Sequence, residues 1–370
     1  MSRMARFWRR VTDGMELSQL WNQFRVEARS SYRLYSHDVD STRTPGTRNG
    51  KHVLNLGIQF FWAIIEKLTP ARRVLLLIAL LFLAFNGGIS WQDRHGEFKV
   101  FEVDGAMWAA LVLLLLVILE VADRVVMKRD LQIAKEIQEW LLPANPPVVP
   151  GLEIAFATRA ANTVAGDYYD VFPRPSMPGE TFLIAVADVA GKSIPAGLLM
   201  ATFQASLKTL AGTSASLTEL VSRMNDYACG NSQNGRRFTT TFIGEYHSAT
   251  HNLIYVNAGH NPPILRRNTG ALERLNDGGI PLGILGDAAY ESGTVTLQSG
   301  DWLVIFTDGV TEAENAAGEE YGELRLLNML YANSTMTPAL LMQTVMQNLD
   351  QFVGDAPQHD DVTLVLLKAG

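Results

Sequence analysis

Two apolar runs in the first third of the chain constrain its fold more than any other feature. Val74 to Gln92 is 19 residues without a formal charge, and Gly105 to Ala122 is 18 residues interrupted only by Glu120. A helix rises ~1.5 Å per residue and a bilayer's hydrocarbon layer is ~30 Å thick, so each run predicts a membrane-spanning helix. Trp91 and Trp108 stand near the ends that would face each other, where an interfacial aromatic belt falls. Lys67, Arg72 and Arg73 precede the first run and Arg124, Lys128 and Arg129 follow the second, against Arg94 and Lys99 in the loop between them. This bias predicts a multi-pass protein of the inner (cytoplasmic) membrane, with both termini and the C-terminal domain in the cytoplasm.

Charge is divided unevenly along the 370 residues. Residues 1–73 carry 13 Lys/Arg and 6 Asp/Glu, or +7, which leaves −14 for the remainder of a chain whose formal net charge is −7. With Trp8, Trp21 and Phe24 among the arginines of residues 1–50, this first segment reads either as a cytoplasmic, lipid-facing region or as a partly disordered solvated tail. Val53 to Ile65 is apolar but too short to span, and predicts an interfacial or packed helix. A hydrophobic fraction of 47% with 19% charged residues excludes a disordered chain. The single Cys229 excludes an intrachain disulfide framework and a multi-cysteine zinc site. The mild acidity gives no footprint for a nucleic-acid partner.

Four regions follow: the basic segment 1–73, a transmembrane hairpin 74–122, a linker helix 123–148 and a domain 149–370. In the linker, Val126, Ile133, Ile137, Trp140 and Leu141 form an apolar stripe, and Pro143, Pro146 and Pro147 end the helix. Such a stripe suits pairing with its copy in a homodimer. From residue 149 the texture changes to short β-rich runs: LEIAFAT, TFLIAVAD, TTFIGEYH, NLIYVNA, DWLVIFTD and VTLVLL. Helical patterns lie at Ala196 to Leu210, Ser216 to Ala228 and Pro338 to Phe352. Tight connections such as EYHSATHNLIYV predict antiparallel hairpins, hence an α+β domain rather than a doubly wound nucleotide-binding fold.

Aspartates recur where these apolar strands end: Asp167 and Asp170 in AGDYYD, Asp188 in FLIAVADVAGK, Asp308 in WLVIFTDGVTEAE, and Asp360 and Asp361 in HDDVTLVLL. An acid directly after five to seven apolar residues is expected at a sheet rim with its side chain unburied, where several strand ends can converge. Oxygen donors without clustered Cys or His suit Mg²⁺ or Mn²⁺, and a pair of such ions can activate water for in-line attack on phosphorus. Gly166, Gly191 and Gly309 beside the acids fit tight turns that let backbone approach an ion or phosphate.

Taken in order, GDYYD, DVAGKSIPAGLLMA, TTTFIGEYH, NAGHNPP, GGIPLGI, TDGVTEA and HDDVTLVLL resemble the PPM metal-dependent serine/threonine protein phosphatases of the SpoIIE/RsbU-like branch. The resemblance covers residues 131–370, including LQIAKEIQEWLLP. It implies a β-sandwich of two antiparallel sheets flanked by helices, with two Mn²⁺ or Mg²⁺ ions at one end. It further implies that Asp188 bridges both ions, that Asp167 and the Val189 carbonyl complete one, and that Asp308 and Asp360 hold the other. Asp167 and Asp188 would thus be catalytic, with Asp170, Gly309 and Asp361 supporting the ligands. Ala165 and Ser193 stand where relatives commonly carry glycine, and Lys192 is a usual variant. His260 reads as a turn-stabilising residue before Asn261, Pro262 and Pro263 rather than as an acid for the leaving alkoxide. The implied activity is hydrolysis of phosphoserine or phosphothreonine on a signalling protein, such as a STAS-type anti-sigma-factor antagonist, without a phosphoenzyme. The competing readings are a catalytically inactive phosphoprotein-binding scaffold, which has no need of four mutually repelling carboxylates, and a hydrolase of small phosphorylated metabolites, separable by a substrate panel.

Overall fold

The computed structural model describes residues 65–66, 68–84, 87–92, 98–176, 179–231 and 237–370. The expectations for residues 1–64, Lys67 and Arg94 lie outside the described residues. The chain divides into two units, Met1–Val125 and Val126–Gly370.

In the first unit, helix α1 (Pro70–Ala84) precedes a hairpin of β1 (Gly87–Gln92) and β2 (Phe98–Val103), and α2 begins at Gly105. This differs from the 19-residue span expected from Val74. The helix is 15 residues long, roughly 22 Å, and stops ahead of Gly87-Gly88. Glycine is a poor helix former, and residues 87–92 pair instead with 98–103 in antiparallel register, Gly87 opposite Val103. The second expected span lies wholly within α2 (Gly105–Leu141), which runs unbroken for 37 residues and includes most of the expected linker helix. Among the described residues α2 is the one helix long and apolar enough to cross a membrane, with a mean hydropathy of 2.5 over a window only 11% buried. Arg72 ties the start of α1 to α2: its guanidinium meets Glu120 at 2.9 Å and Asp123 at 2.6 Å, and donates to the Leu119 carbonyl at 3.0 Å. Glu120 therefore faces a partner helix, which reconciles a carboxylate with an otherwise apolar run.

The second unit is a four-layer sandwich. Its strands are β3 (Leu152–Arg159), β4 (Tyr168–Pro173), β5 (Thr181–Val189), β6 (Thr239–His247), β7 (Asn252–Ala258), β8 (Ile264–Arg266), β9 (Leu272–Arg274), β10 (Gly278–Gly279), β11 (Gly293–Thr296), β12 (Trp302–Phe306) and β13 (Val362–Ala369). One sheet has the order β10-β7-β6-β5-β4, with β11 also on β7; the other is β3-β13-β12-β8-β9. Among the described strands, β10 and β7 are the one pair that runs parallel. Helices α3 (Ile194–Ala211) and α4 (Leu217–Asn231) cover the first sheet; α6 (Glu323–Ala332) and α7 (Pro338–Val353) cover the second, and the short α5 (Asp308–Thr311) follows β12.

Period-two alternation explains the layering. In β5, Phe182, Ile184 and Val186 join the core between the sheets, whereas Leu183, Ala185, Ala187 and Val189 pack beneath α3 and α4. In β12, Leu303 and Ile305 face the inter-sheet core and Trp302, Val304 and Phe306 face α6 and α7. Both strands are buried on two sides, so they read as continuous apolar runs rather than as alternating ones.

Candidate metal centre

Chain direction brings the acidic strand ends to one edge of the sandwich. Strand β5 delivers Asp188 at its C-terminal end, opposite Thr240 of β6; Asp167 immediately precedes β4; Asp308 follows β12; and Asp360 and Asp361 precede β13. Alternation also decides which acids look inward. Asp167 has the parity of Tyr169 and Val171, and Asp361 that of Thr363 and Val365, all on the inter-sheet side.

Asp170 has the opposite parity. It lies on the helix side of the sheet, 2.6 Å from Lys208 of α3 and accepting a 3.0 Å bond from the Tyr168 hydroxyl. It was expected beside the ligands, but its side chain makes these bonds on the other face of the strand. Asp170 lies three positions after Asp167, an odd offset, and that spacing alone predicts opposite faces.

Asp361 organises the irregular segment between β3 and β4. Its Oδ1 accepts from the Ala161 amide at 2.7 Å and its Oδ2 from the Gly166 amide at 2.6 Å. Asp167 departs from the expectation of an unburied rim acid: it is 1% exposed and accepts a 2.9 Å bond from the Thr307 hydroxyl. Two contributors escaped the sequence reading. Thr307 shares the inward parity of Leu303 and Ile305, a readable signal. Gln138, 7% exposed on α2, donates from Nε2 to the Ala165 carbonyl at 2.7 Å, and its Oε1 accepts from the Ala165 amide at 2.9 Å. Its signal is the line Leu131, Ala134, Gln138, a helical face offset from Ile133, Ile137 and Trp140.

The carboxylates repel one another through low-dielectric surroundings. Burial raises the Asp188 pKa to about 7, helped by the charges of Asp308, Asp360 and Asp361. Asp167 is held well above the carboxylate range by burial and then by Asp188, and Asp308 is raised by burial and Asp360. Among the described residues, no three His, Cys, Asp or Glu side chains are already closed around one point. The donor chemistry nevertheless fits hard divalent ions: oxygen ligands, mutual repulsion that a cation relieves, and small residues where backbone must approach. A Cβ on Gly166 would lie 3.0 Å from the Val189 carbonyl oxygen, and one on Gly309 would lie 2.0 Å from the Asp361 carbonyl oxygen. Glycine at 166 keeps the Val189 carbonyl open, and glycine at 309 lets α5 rest on the Asp361 carbonyl.

His260 is buried beneath this edge, with Nδ1 3.1 Å from the hydroxyl of Thr240 and its amide donating to Asn257 at 2.8 Å. Burial lowers its pKa to about 4, against the opposing pull of the Phe306 carbonyl. A depressed histidine pKa means that the unfolded chain binds the extra proton first. Stability is therefore fully present above about 6.5 and falls as pH drops towards 4, by about 3 kcal/mol for this group. Wild type should lose that much relative to His260→Gln between pH 7 and pH 4 in chemical denaturation. Parallel pH profiles for the two proteins would refute the assignment.

The sandwich and its acidic edge define the PP2C-type phosphatase fold. The SiaA PP2C domain of Pseudomonas aeruginosa superposes with a TM-score of 0.59 at 19% identity, over 67% of this chain and 99% of that one. The chain belongs to the SpoIIE family, whose model, described as Stage II sporulation protein E, matches residues 178–370. Phosphoserine phosphatase RsbU of Bacillus subtilis (strain 168) is 30% identical over 244 residues, 65% of this chain and 70% of that protein. Protein IcfG of Synechocystis sp. is 26% identical over 263 residues, 64% of this chain, and the match spans only 41% of IcfG itself.

Proposed function

We propose that this chain is a membrane-anchored, metal-dependent protein phosphatase that hydrolyses phosphoserine or phosphothreonine on a signalling regulator. The observation that carries the reading is the gathering of Asp167, Asp188, Asp308 and Asp360 at one edge of a PP2C-type sandwich, each coupled by charge to another. In this reading Asp167, Asp188, Asp308, Asp360 and the Val189 carbonyl would hold the Mn²⁺ or Mg²⁺ ions. Bound ions of this kind lower the pKa of water and neutralise phosphoryl charge. The protein's own part is to fix the ligands: Thr307 orients Asp167, Asp361 clamps the Gly166 amide, and Gly309 makes room for the Asp361 carbonyl next to Asp360. No side chain needs to become phosphorylated, in keeping with Cys229 lying on α4 outside this edge.

Likeness to RsbU supports a phosphorylated regulator as the substrate, with a STAS-type anti-sigma-factor antagonist as the first candidate. The length and exposure of α2 support an anchor in the cytoplasmic membrane, with the catalytic domain in the cytoplasm. The exposed stripe of Val126, Ile133, Ile137 and Trp140 supports pairing of α2 with its copy. The test is Mn²⁺-dependent phosphate release by the full chain in lipid nanodiscs, from a phosphoserine protein beside a panel of small phosphate esters. Turnover confined to the small esters would favour the metabolite reading, and ion binding without any turnover the scaffold.

A further inference from the structure

Lys192 stands at the acidic edge on the turn Ala190–Ser193, between β5 and α3. That turn is conformationally costly: Gly191 has φ +123° and Ser193, a non-glycine residue, has φ 64° with ψ −146°. Backbone in this region is strained for any residue with a Cβ, and such strain persists where the surroundings enforce it, often at functional sites. Here the Ala190 amide is held by the Phe238 carbonyl at 2.9 Å and the Ser193 carbonyl by the Gly197 amide at 3.1 Å.

The turn aims the Lys192 ammonium at the acids. Its Nζ lies 3.0 Å from Asp360 Oδ2 and donates to the His359 carbonyl at 2.5 Å, with the side chain 55% exposed. Its charge also reaches Asp188, Asp308 and Asp361, where it partly opposes the rise in pKa that burial causes. Lys192 lines a cleft with Arg159, Gly309, His359, Asp360 and the acids Glu312, Glu314 and Glu320. Such a cleft repels a dianion, so a phosphoryl group can enter only against cations.

We propose that Lys192 is a phosphoryl-binding residue that changes partner: it holds Asp360 in the ion-free protein and a non-bridging oxygen of the phosphoserine group in the loaded one. An exposed ion pair contributes little and breaks cheaply, and a doubly charged ion outcompetes an ammonium for Asp360. The released ammonium remains tethered beside the reacting group, where a lysine point charge suits phosphate. The inference rests on the proposed phosphatase reading and assigns this residue its contact with substrate.

The prediction is a split of sign. In the full chain, Lys192→Met should bind Mn²⁺ equally well or up to about fivefold tighter, because a competitor for Asp360 is gone. The same variant, loaded with Mn²⁺, should bind inorganic phosphate about 10- to 100-fold more weakly by calorimetry, the range for a charge-assisted hydrogen bond. Its KM for a phosphoserine protein should rise in parallel, and Lys192→Arg should restore phosphate affinity to within a few-fold. Parallel weakening of Mn²⁺ and phosphate would mark a merely structural lysine and overturn the proposal, as would unchanged phosphate affinity. Wild type that binds Mn²⁺ and phosphate but hydrolyses no phosphoprotein would remove the proposed function, while the two affinities still decide the role of Lys192.

Discussion

Replacing Asp188 with asparagine is expected to lower Mn²⁺-dependent phosphate release by about 10³-fold or more while making the ion-free protein more stable. The rate effect follows from the several kcal/mol that bound ions supply to phosphoryl transfer, at about 1.4 kcal/mol per tenfold. The stability effect has a definite sign. Burial and three neighbouring acids raise the Asp188 pKa to about 7, so between the unfolded value near 4 and pH 7 the folded chain holds a proton that the unfolded chain has lost. Stability therefore declines as pH rises through that window, and at pH 8 the ionised carboxylate costs a few kcal/mol. Asparagine keeps the shape without the charge. Phosphate release and thermal melting in chelator test the two consequences, and activity within tenfold of wild type would sink the two-ion assignment.

Arg174→Met is expected to act in the opposite way, on stability and not on ions. Arg174 and Glu245 are an ion pair with side chains 3% and 8% exposed, and the guanidinium also donates to the Ser214 carbonyl at 2.6 Å. Removing one partner of a buried pair strands the other, at about 3 to 5 kcal/mol. For a domain of this size that is a fall in Tm on the order of 10 °C. Arg174 lies past the end of β4 remote from Asp167, roughly 20 Å along the strand at ~3.3 Å per residue, so Mn²⁺ affinity should hold. The double variant Arg174→Met, Glu245→Leu should recover much of the loss, since an apolar pair of similar volume has no stranded charge. A single variant melting within a degree or two of wild type would show that the pair contributes little.

The α+β sandwich was legible because its long strands are apolar runs ended by turn residues and acids. Strands β8 to β11, of two to four residues, are too short for any period to show. The acidic edge was legible as a set of strand ends, but each side chain's surroundings depended on parity and on partners far away in sequence. Parity, visible in principle, sends Asp170 to Lys208. Asp167 accepts from Thr307, 140 residues distant: the inward parity of Thr307 is readable, but its pairing with Asp167 is announced by no local pattern. The first apolar run misled because lack of charge is not the same as apolarity: its last six residues, GGISWQ, carry no charge, yet Gly87-Gly88 and a complementary strand at 98–103 turn them into a hairpin.

Strands β5 and β12 each have no solvent side, and this bears on how the second unit comes apart. Three hydrophobic clusters fill the sandwich, and each of these strands is shared by two of them: β5 by the inter-sheet and α3/α4 clusters, β12 by the inter-sheet and α6/α7 clusters. A layer cannot melt while its shared strand stays native, so residues 126–370 form one cooperative unit rather than three. The Arg174–Glu245 pair and the acidic edge then hang from opposite ends of the same indivisible block. Ion binding at one end will slow amide hydrogen exchange throughout the shared strands, out to the far end of β5.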